Sequence, residues 1–250
     1  MYYEKKPEVE RIIGIKAEHP FWGYRRVWAH LRYVNELEIN KKRVLMLLRK
    51  HGLLVKPDRK LKANRTPGRS KPKPVRPNQW WGIDMSNVMV NSFGWMYIVV
   101  VLDRYSKKIV GYYAGMQCRG REWLEALDMA INRQFVEGVR EKQLHLISDN
   151  GSQPTSMGFM KACREMDINQ AFTSYGNPKG NADTERVFRT MKEELLWLRE
   201  WNSPFTLADT LGVWVEYYNG HYLHSALGYK APNKFEEEYI NSQITLLVTA

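Results

Sequence analysis

Trp80-Trp81-Gly82-Ile83-Asp84-Met85-Ser86-Asn87-Val88-Met89-Val90, closely followed by Trp95-Met96-Tyr97-Ile98-Val99-Val100-Val101-Leu102, is the stretch that decides the fold. Both runs are rich in aromatic and β-branched residues and read as strands, and the second is apolar enough to be central in a sheet. Asp84 is the anomaly. An unpaired carboxylate in a buried strand costs several kcal/mol or gives up its charge, and a divalent cation would remove that cost. Lys108 to Ala114 completes a set of three strands.

Outward from this core, apolar periodicity predicts a helix near 122–135, a short buried strand at 144–147, a helix near 155–166 and a strand at 169–173. Helices near 183–199 and 207–219 close the domain, and the tail after Tyr239 lacks a clear pattern. Three antiparallel strands followed by alternating helices and strands indicate an α/β fold, a mixed sheet flanked by helices. Two more acids stand out. Asp149 ends the run Leu144-His145-Leu146-Ile147-Ser148 and precedes Asn150-Gly151. That pair could make a hairpin turn, but a helix, not a second strand, follows. Glu185 lies near the start of an amphipathic helix, with 35 residues between it and Asp149. Two strand carboxylates and one helix carboxylate make an oxygen-rich set suited to Mg²⁺ (or Mn²⁺). Asp103, beside Arg104, reads as half of a local ion pair, and Asp183 as no ligand.

The 250 residues carry a net charge of +11, distributed unevenly. Residues 1–79 hold 21 Lys+Arg against 7 Asp+Glu, or +14, and the remainder 17 against 20, or −3. A basic front end beside a faintly acidic body suits a polyanion-binding module joined to a cation-binding catalytic domain. Within that front end, 8–18, 24–35 and 40–51 have helical apolar spacing, with Asn40 as N-cap and His51-Gly52 as stop. The third helix carries Lys41, Lys42, Arg43, Arg49 and Lys50 around one apolar stripe, compatible with a recognition helix in or across a DNA groove. The expected organisation is a helix-turn-helix-like domain at 1–55, a basic Pro-rich linker at 56–78, a catalytic core at 79–240 and a tail at 241–250. Cys118 and Cys163 form no CxxC pair, which excludes a disulfide framework and a cysteine-rich zinc site. No run of bilayer length and no apolar leader is present, so cytoplasmic synthesis, with no membrane partner, is expected. Trp80, Trp81, Trp95, Trp197, Trp201 and Trp214 fall at strand or helix periodicity and read as core.

Several words follow one another along the chain: Gly23-Tyr24-Arg25-Arg26, Asn40-Lys41-Lys42-Arg43-Val44, Ser148-Asp149-Asn150-Gly151-Ser152, Gly176-Asn177-Pro178-Lys179-Gly180-Asn181-Ala182-Asp183-Thr184-Glu185, and His224-Ser225-Ala226-Leu227-Gly228-Tyr229 with Pro232. With these words the chain resembles the OrfB-type transposases of the IS-three family of insertion sequences and, more distantly, retroviral integrases. The resemblance implies an RNase H-like core with a DDE motif, Asp84, Asp149 and Glu185, serving as catalytic residues and as ligands of two divalent ions. It implies a polynucleotidyl transferase that cuts and joins DNA in transposition, DNA integration and DNA recombination. Arg25, Arg26, Lys41, Lys42, Arg43 and Lys192 are the expected DNA contacts, and Asn177 and Asn181 could order the loop before the catalytic helix. DNA is the implied partner, both terminal inverted repeats and target, with a homo-oligomer on the nucleoid and an upstream OrfA product or OrfAB fusion. The sequence departs from many relatives at Lys179-Gly180-Asn181-Ala182, where they have Tyr-Asp-Asn-Ala, so an acid at position 180 is missing. Two other functions share these features: a non-catalytic DNA-binding regulator, and an RNase H-like nuclease that does not join.

Overall fold

A computed structural model describes residues 6–55, 73–173 and 181–248. The chain divides into two compact units, Met1–Arg65 and Thr66–Ala250, the division falling inside the expected linker. Most of that linker, 56–72, lies outside the described residues, as does Gly176 to Gly180 with Asn177.

The first unit contains α1 (Lys6–Glu18), α2 (Tyr24–Tyr33) and α3 (Lys41–Lys50). Their apolar stripes meet in one small core of Ile12, Ile15, Trp22, Val27, Leu31, Val44, Leu47 and Leu48. The ends of α3 are as the sequence requires: the Asn40 side chain accepts from the Lys42 N–H at 2.8 Å, and Gly52 takes φ +67° after the last turn. Between helices, the Trp28 indole donates to Ile39 O at 2.8 Å, and the buried Lys16 ammonium donates to the carbonyls of Pro20 and Trp22.

The second unit is a five-stranded mixed sheet with helices on both faces. Its strands are β1 (Trp80–Val90), β2 (Gly94–Asp103), β3 (Ile109–Gly115), β4 (His145–Ser148) and β5 (Asn169–Phe172), in the order β3-β2-β1-β4-β5. β1, β2 and β3 pair antiparallel, whereas β4 and β5 join in parallel. The helices are α4 (Gly120–Gln134), α5 (Met157–Glu165), α6 (Ala182–Met191), α7 (Pro204–His221) and α8 (Pro232–Val248).

Strand alternation sorts side chains between two cores. Trp81, Ile83, Val99, Val101, Leu144 and Leu146 pack with α4 and α5. Met96, Ile98, Val100 and Leu102 pack on the other face, against α6 and α7. Asn219 of α7, 4% exposed, locks that helix to β3 by accepting from the Ile109 N–H and donating to the Ile109 carbonyl, each at 2.9 Å.

Four expectations are corrected. The helix expected at 183–199 is α until Met191 and then becomes a π-helical turn, Lys192–Leu196. The tail expected after Tyr239 continues as α8, because the helix begun at Pro232 meets no breaker before Val248. Trp95 and Trp197 are not core, being 49% and 63% exposed: alternation and helical spacing reveal a side chain's direction but not whether a layer covers it. Asp103 does not pair with Arg104. It is fully buried and accepts from the Ser106 N–H and hydroxyl at 2.8 and 2.6 Å and from the Asn78 N–H at 3.1 Å. Arg104, the first residue of the turn after β2, instead pairs with Asp183 at 3.5 Å, while Asp103 is taken up by the Ser106 and Asn78 donors.

Candidate active site

Asp84 lies in mid-β1 on the α6 side of the sheet, opposite in direction to Trp81 and Ile83. The parallel register sets Gly82 against Ile147, and carrying it on two residues brings Asp84 beside Asp149 at the end of β4. Asp149 shares the parity of Ile147, opposite to Leu144 and Leu146, and so turns to the α6 side as well. No hairpin forms at Asn150-Gly151. The Asp149 carboxylate instead accepts from the Gly151 N–H at 3.0 Å, and the Asn150 side chain donates to Thr173 O at 2.6 Å, fixing the turn that leads to α5.

Glu185 comes from the first turn of α6, and three residues of this chain hold that turn against β1. A Cβ on Gly82 would lie 2.5 Å from Thr184 Oγ1 and 3.1 Å from Asn181 Oδ1, so only a glycine admits the helix this close. Asn181 donates to the Ile83 carbonyl at 3.3 Å and accepts from the Thr184 hydroxyl at 2.8 Å. Sequence reasoning assigned Asn181 to loop ordering and missed Gly82 and Thr184. A glycine inside an otherwise bulky strand was the available signal. Asp183 faces away, pairing with Lys107 at 3.2 Å as well as with Arg104.

The electrostatics report the convergence. Burial pushes the Asp84 carboxyl up to about 6, the Met85 N–H opposes this, and the charges of Asp149 and Glu185 push it further up while Lys192 pulls it down. Asp84 thus feels both other acids and one lysine. Asp149 and Glu185 are exposed and Lys192 half-buried, so the site opens to solvent. Among the described residues, no three His, Cys, Asp or Glu side chains are already drawn into a metal-holding cluster.

The basic residues of the first unit divide into two kinds. Arg25, Lys41 and Lys42 are exposed, with Lys41 Nζ 4.0 Å over the Trp28 ring and Arg25 and Arg26 each 5.7 Å over Tyr24 and Trp22. Arg43 differs. Its Nε and Nη2 grip Glu8 Oε2 at 2.8 and 2.7 Å, joining α3 to α1 in a part-buried pair.

Residues 74–178 and 166–232 match models of the integrase core domain, and residues 4–60 match an HTH-like domain. The transposase for insertion sequence element IS904 of Lactococcus lactis is 28% identical over 93% of this chain and 96% of its own length. The transposase InsD for insertion element IS2A/D/F/H/I/K of Escherichia coli is 25% identical over 90% of this chain and 76% of its own length. Among solved structures, the HTLV-2 integrase catalytic core domain in complex with magnesium is similar in fold, with a TM-score of 0.51 at 17% identity over 66% of this chain and 99% of that one. A chain of the simian T-cell lymphotropic virus intasome with the PP2A regulatory subunit B56 gamma gives a TM-score of 0.54 at 15% identity, over 90% and 74%.

Proposed function

The chain belongs to the OrfB-type transposases of the IS-three family of insertion sequences, built on an integrase core, and on that premise we propose that Asp84, Asp149 and Glu185 are its catalytic carboxylates. The observation that carries this reading is their convergence on the α6 face of the sheet, felt electrostatically at Asp84. The donor set suits a hard divalent cation, Mg²⁺ or Mn²⁺. It consists of carboxylates, and the most buried of them holds its charge poorly beside the other two. When bound, two such ions would activate the attacking oxygen and stabilise the leaving one.

The chain's own residues then have separable tasks. Asp84, fixed in mid-strand, anchors the site, and the Gly151 N–H holds the Asp149 carboxylate in place. Asn181 and Thr184 set Glu185 at its height above the sheet. Lys192, which pulls the Asp84 carboxyl down, would meet a DNA phosphate in this reading. In cleavage a water oxygen bonds to phosphorus as the 3′ oxygen departs. In joining, that freed 3′ hydroxyl attacks a second phosphodiester and another 3′ oxygen departs, so one P–O bond forms for each broken. The proposed DNA contacts of the first unit are Arg25, Arg26, Lys41 and Lys42. Arg43 serves chiefly to hold α3 to α1.

Asp84→Ala, Asp149→Ala and Glu185→Ala should each abolish cleavage and joining of element ends while DNA binding stays within about twofold, since loss of a ligand leaves the phosphate-binding lysines in place. Full strand transfer by any one variant in Mg²⁺ would remove that residue from the site. We further propose that the chain works as an oligomer on the DNA of the bacterial cytoplasm, with an upstream product or fusion supplying end specificity. Coordinated, sequence-specific cleavage of both ends by the 250-residue chain alone would refute the need for that partner.

A further inference from the structure

Past the end of α6, the helix that carries Glu185, lies a cavity of about 550 Å³, within the ~300–1,000 Å³ range of small-ligand sites. One wall is the β1–β2 hairpin, with Asn87, Met89 and Trp95, and the other is the segment after α6, with Lys192, Trp197 and Arg199. We propose that this groove takes an unstacked nucleobase of the DNA strand that enters the carboxylate site, with Trp95 and Trp197 as its stacking surfaces. The proposal rests on the catalytic reading of Asp84, Asp149 and Glu185 for the direction from which the strand arrives.

Four observations carry it. First, the two indoles are 49% and 63% exposed, whereas Trp81, Trp123, Trp201 and Trp214 are all at or below 7%. Large rings left in water on both walls of one groove are available to stack on a planar partner. Second, the groove lies on the same helical segment as one of the acids: Lys192, which lines it, directly follows α6, about two helical turns beyond Glu185. Third, its charge suits a nucleotide. Arg199, 4.3 Å over the Trp201 ring, and Lys192 offer two cations for a phosphate against one acid, Glu200, which accepts from the Asn91 side chain at 3.5 Å, and the exposed Asn87 offers an amide for a base edge. Fourth, the groove is preformed. The Asn91 N–H donates to Trp201 O at 2.7 Å and its side chain to Asn202 Oδ1 at 2.8 Å, tying hairpin to segment. The π-helical turn, closed by the Trp197 N–H on Lys192 O at 2.9 Å, sets the stacking ring and the lysine on the same wall. Such turns cluster at functional sites because they redirect side chains within a helix.

The test uses the full chain in Ca²⁺ with duplex DNA carrying 2-aminopurine in an unpaired flap, and the same duplex with that base paired. The wild type should quench the unpaired probe strongly and the paired probe little. Trp197→Ala and Trp95→Ala should relieve the quenching and weaken flap binding about tenfold, with paired DNA changed less than about twofold, and Trp197→Phe should retain most of the effect. Equal losses on both DNAs, or unchanged quenching, would overturn the proposal, the first pointing to plain backbone binding. As a readout free of mutation, 5-iodouracil in the flap should cross-link to Trp95 or Trp197 of the wild type, and cross-links confined to other residues would also overturn it. Strand transfer by the carboxylate variants separates the two readings. If those variants stay active while the Trp197→Ala quench is lost, the catalytic assignment falls and the groove stands, and the reverse pattern removes the groove alone.

Discussion

Gly82 and Thr184 approach so closely that a single added methyl on the glycine would sit 2.5 Å from the threonine hydroxyl oxygen. That contact sets the distance between β1, which carries Asp84, and α6, which carries Glu185. Both acids therefore depend on a residue with no side chain.

Gly82→Ala should displace the start of α6 and destabilise the core by about 1–3 kcal/mol, the usual cost of overpacking. Strand transfer should fall by more than the lost stability explains, because a small misplacement of Glu185 costs up to ~10²-fold in rate. Thermal melts and strand-transfer assays below the melting temperature separate the two effects. Equal losses in both would show that the contact matters only for folding.

The Asp84 carboxyl, raised from 3.8 to about 6 chiefly by burial, makes the metal-free fold pH-sensitive. The folded state holds this proton more tightly than the unfolded chain. Its stabilising effect is therefore complete below pH 3.8 and is lost as pH rises through about 6, a change on the order of 1–3 kcal/mol. In EDTA, Asp84→Asn should flatten this part of the stability curve. Mg²⁺, which competes with the proton, should raise the melting temperature more at pH 7.5 than at pH 5, and a shift independent of pH would count against Asp84 as a ligand.

Asn219 serves two backbone groups of Ile109 at once. Asn219→Ala leaves a buried N–H and a buried carbonyl without their side-chain partner and should cost about 2–4 kcal/mol. Denaturant melts at constant m-value would show it, and a loss below 1 kcal/mol would indicate that water replaces the amide.

Lys42 and Arg43 are neighbours in sequence with opposite fates. Lys42→Ala should leave the melting temperature unchanged and lower the salt dependence of DNA binding by about one counterion. Arg43→Ala should chiefly destabilise the first unit, because it leaves Glu8 half-buried without its partner. Circular dichroism and a salt titration of DNA affinity for each variant would distinguish the roles, and identical profiles would contradict the division.

The sequence by itself determined the five strands, the helices from α1 to α7 and their order, and it singled out the three carboxylates as candidates. Those features are written in local apolar periodicity, and the break of a charge in an apolar strand is visible without a partner. Asn40 and Gly52 were legible for the same reason, since a cap acts within a few residues of itself. Only the tertiary structure decided what met what. Register and strand parity, which are relations between segments far apart in sequence, turned Asp84 and Asp149 to the face that α6 covers. Packing between elements gave Arg104, in the turn after β2, to Asp183 of α6 and not to Asp103, and Arg43 of α3 to Glu8 of α1. Trp95 and Trp197 stay in solvent although their spacing matched buried positions. Periodicity fixes the direction in which a side chain points from its own element, but burial and pairing depend on which distant element, if any, lies there.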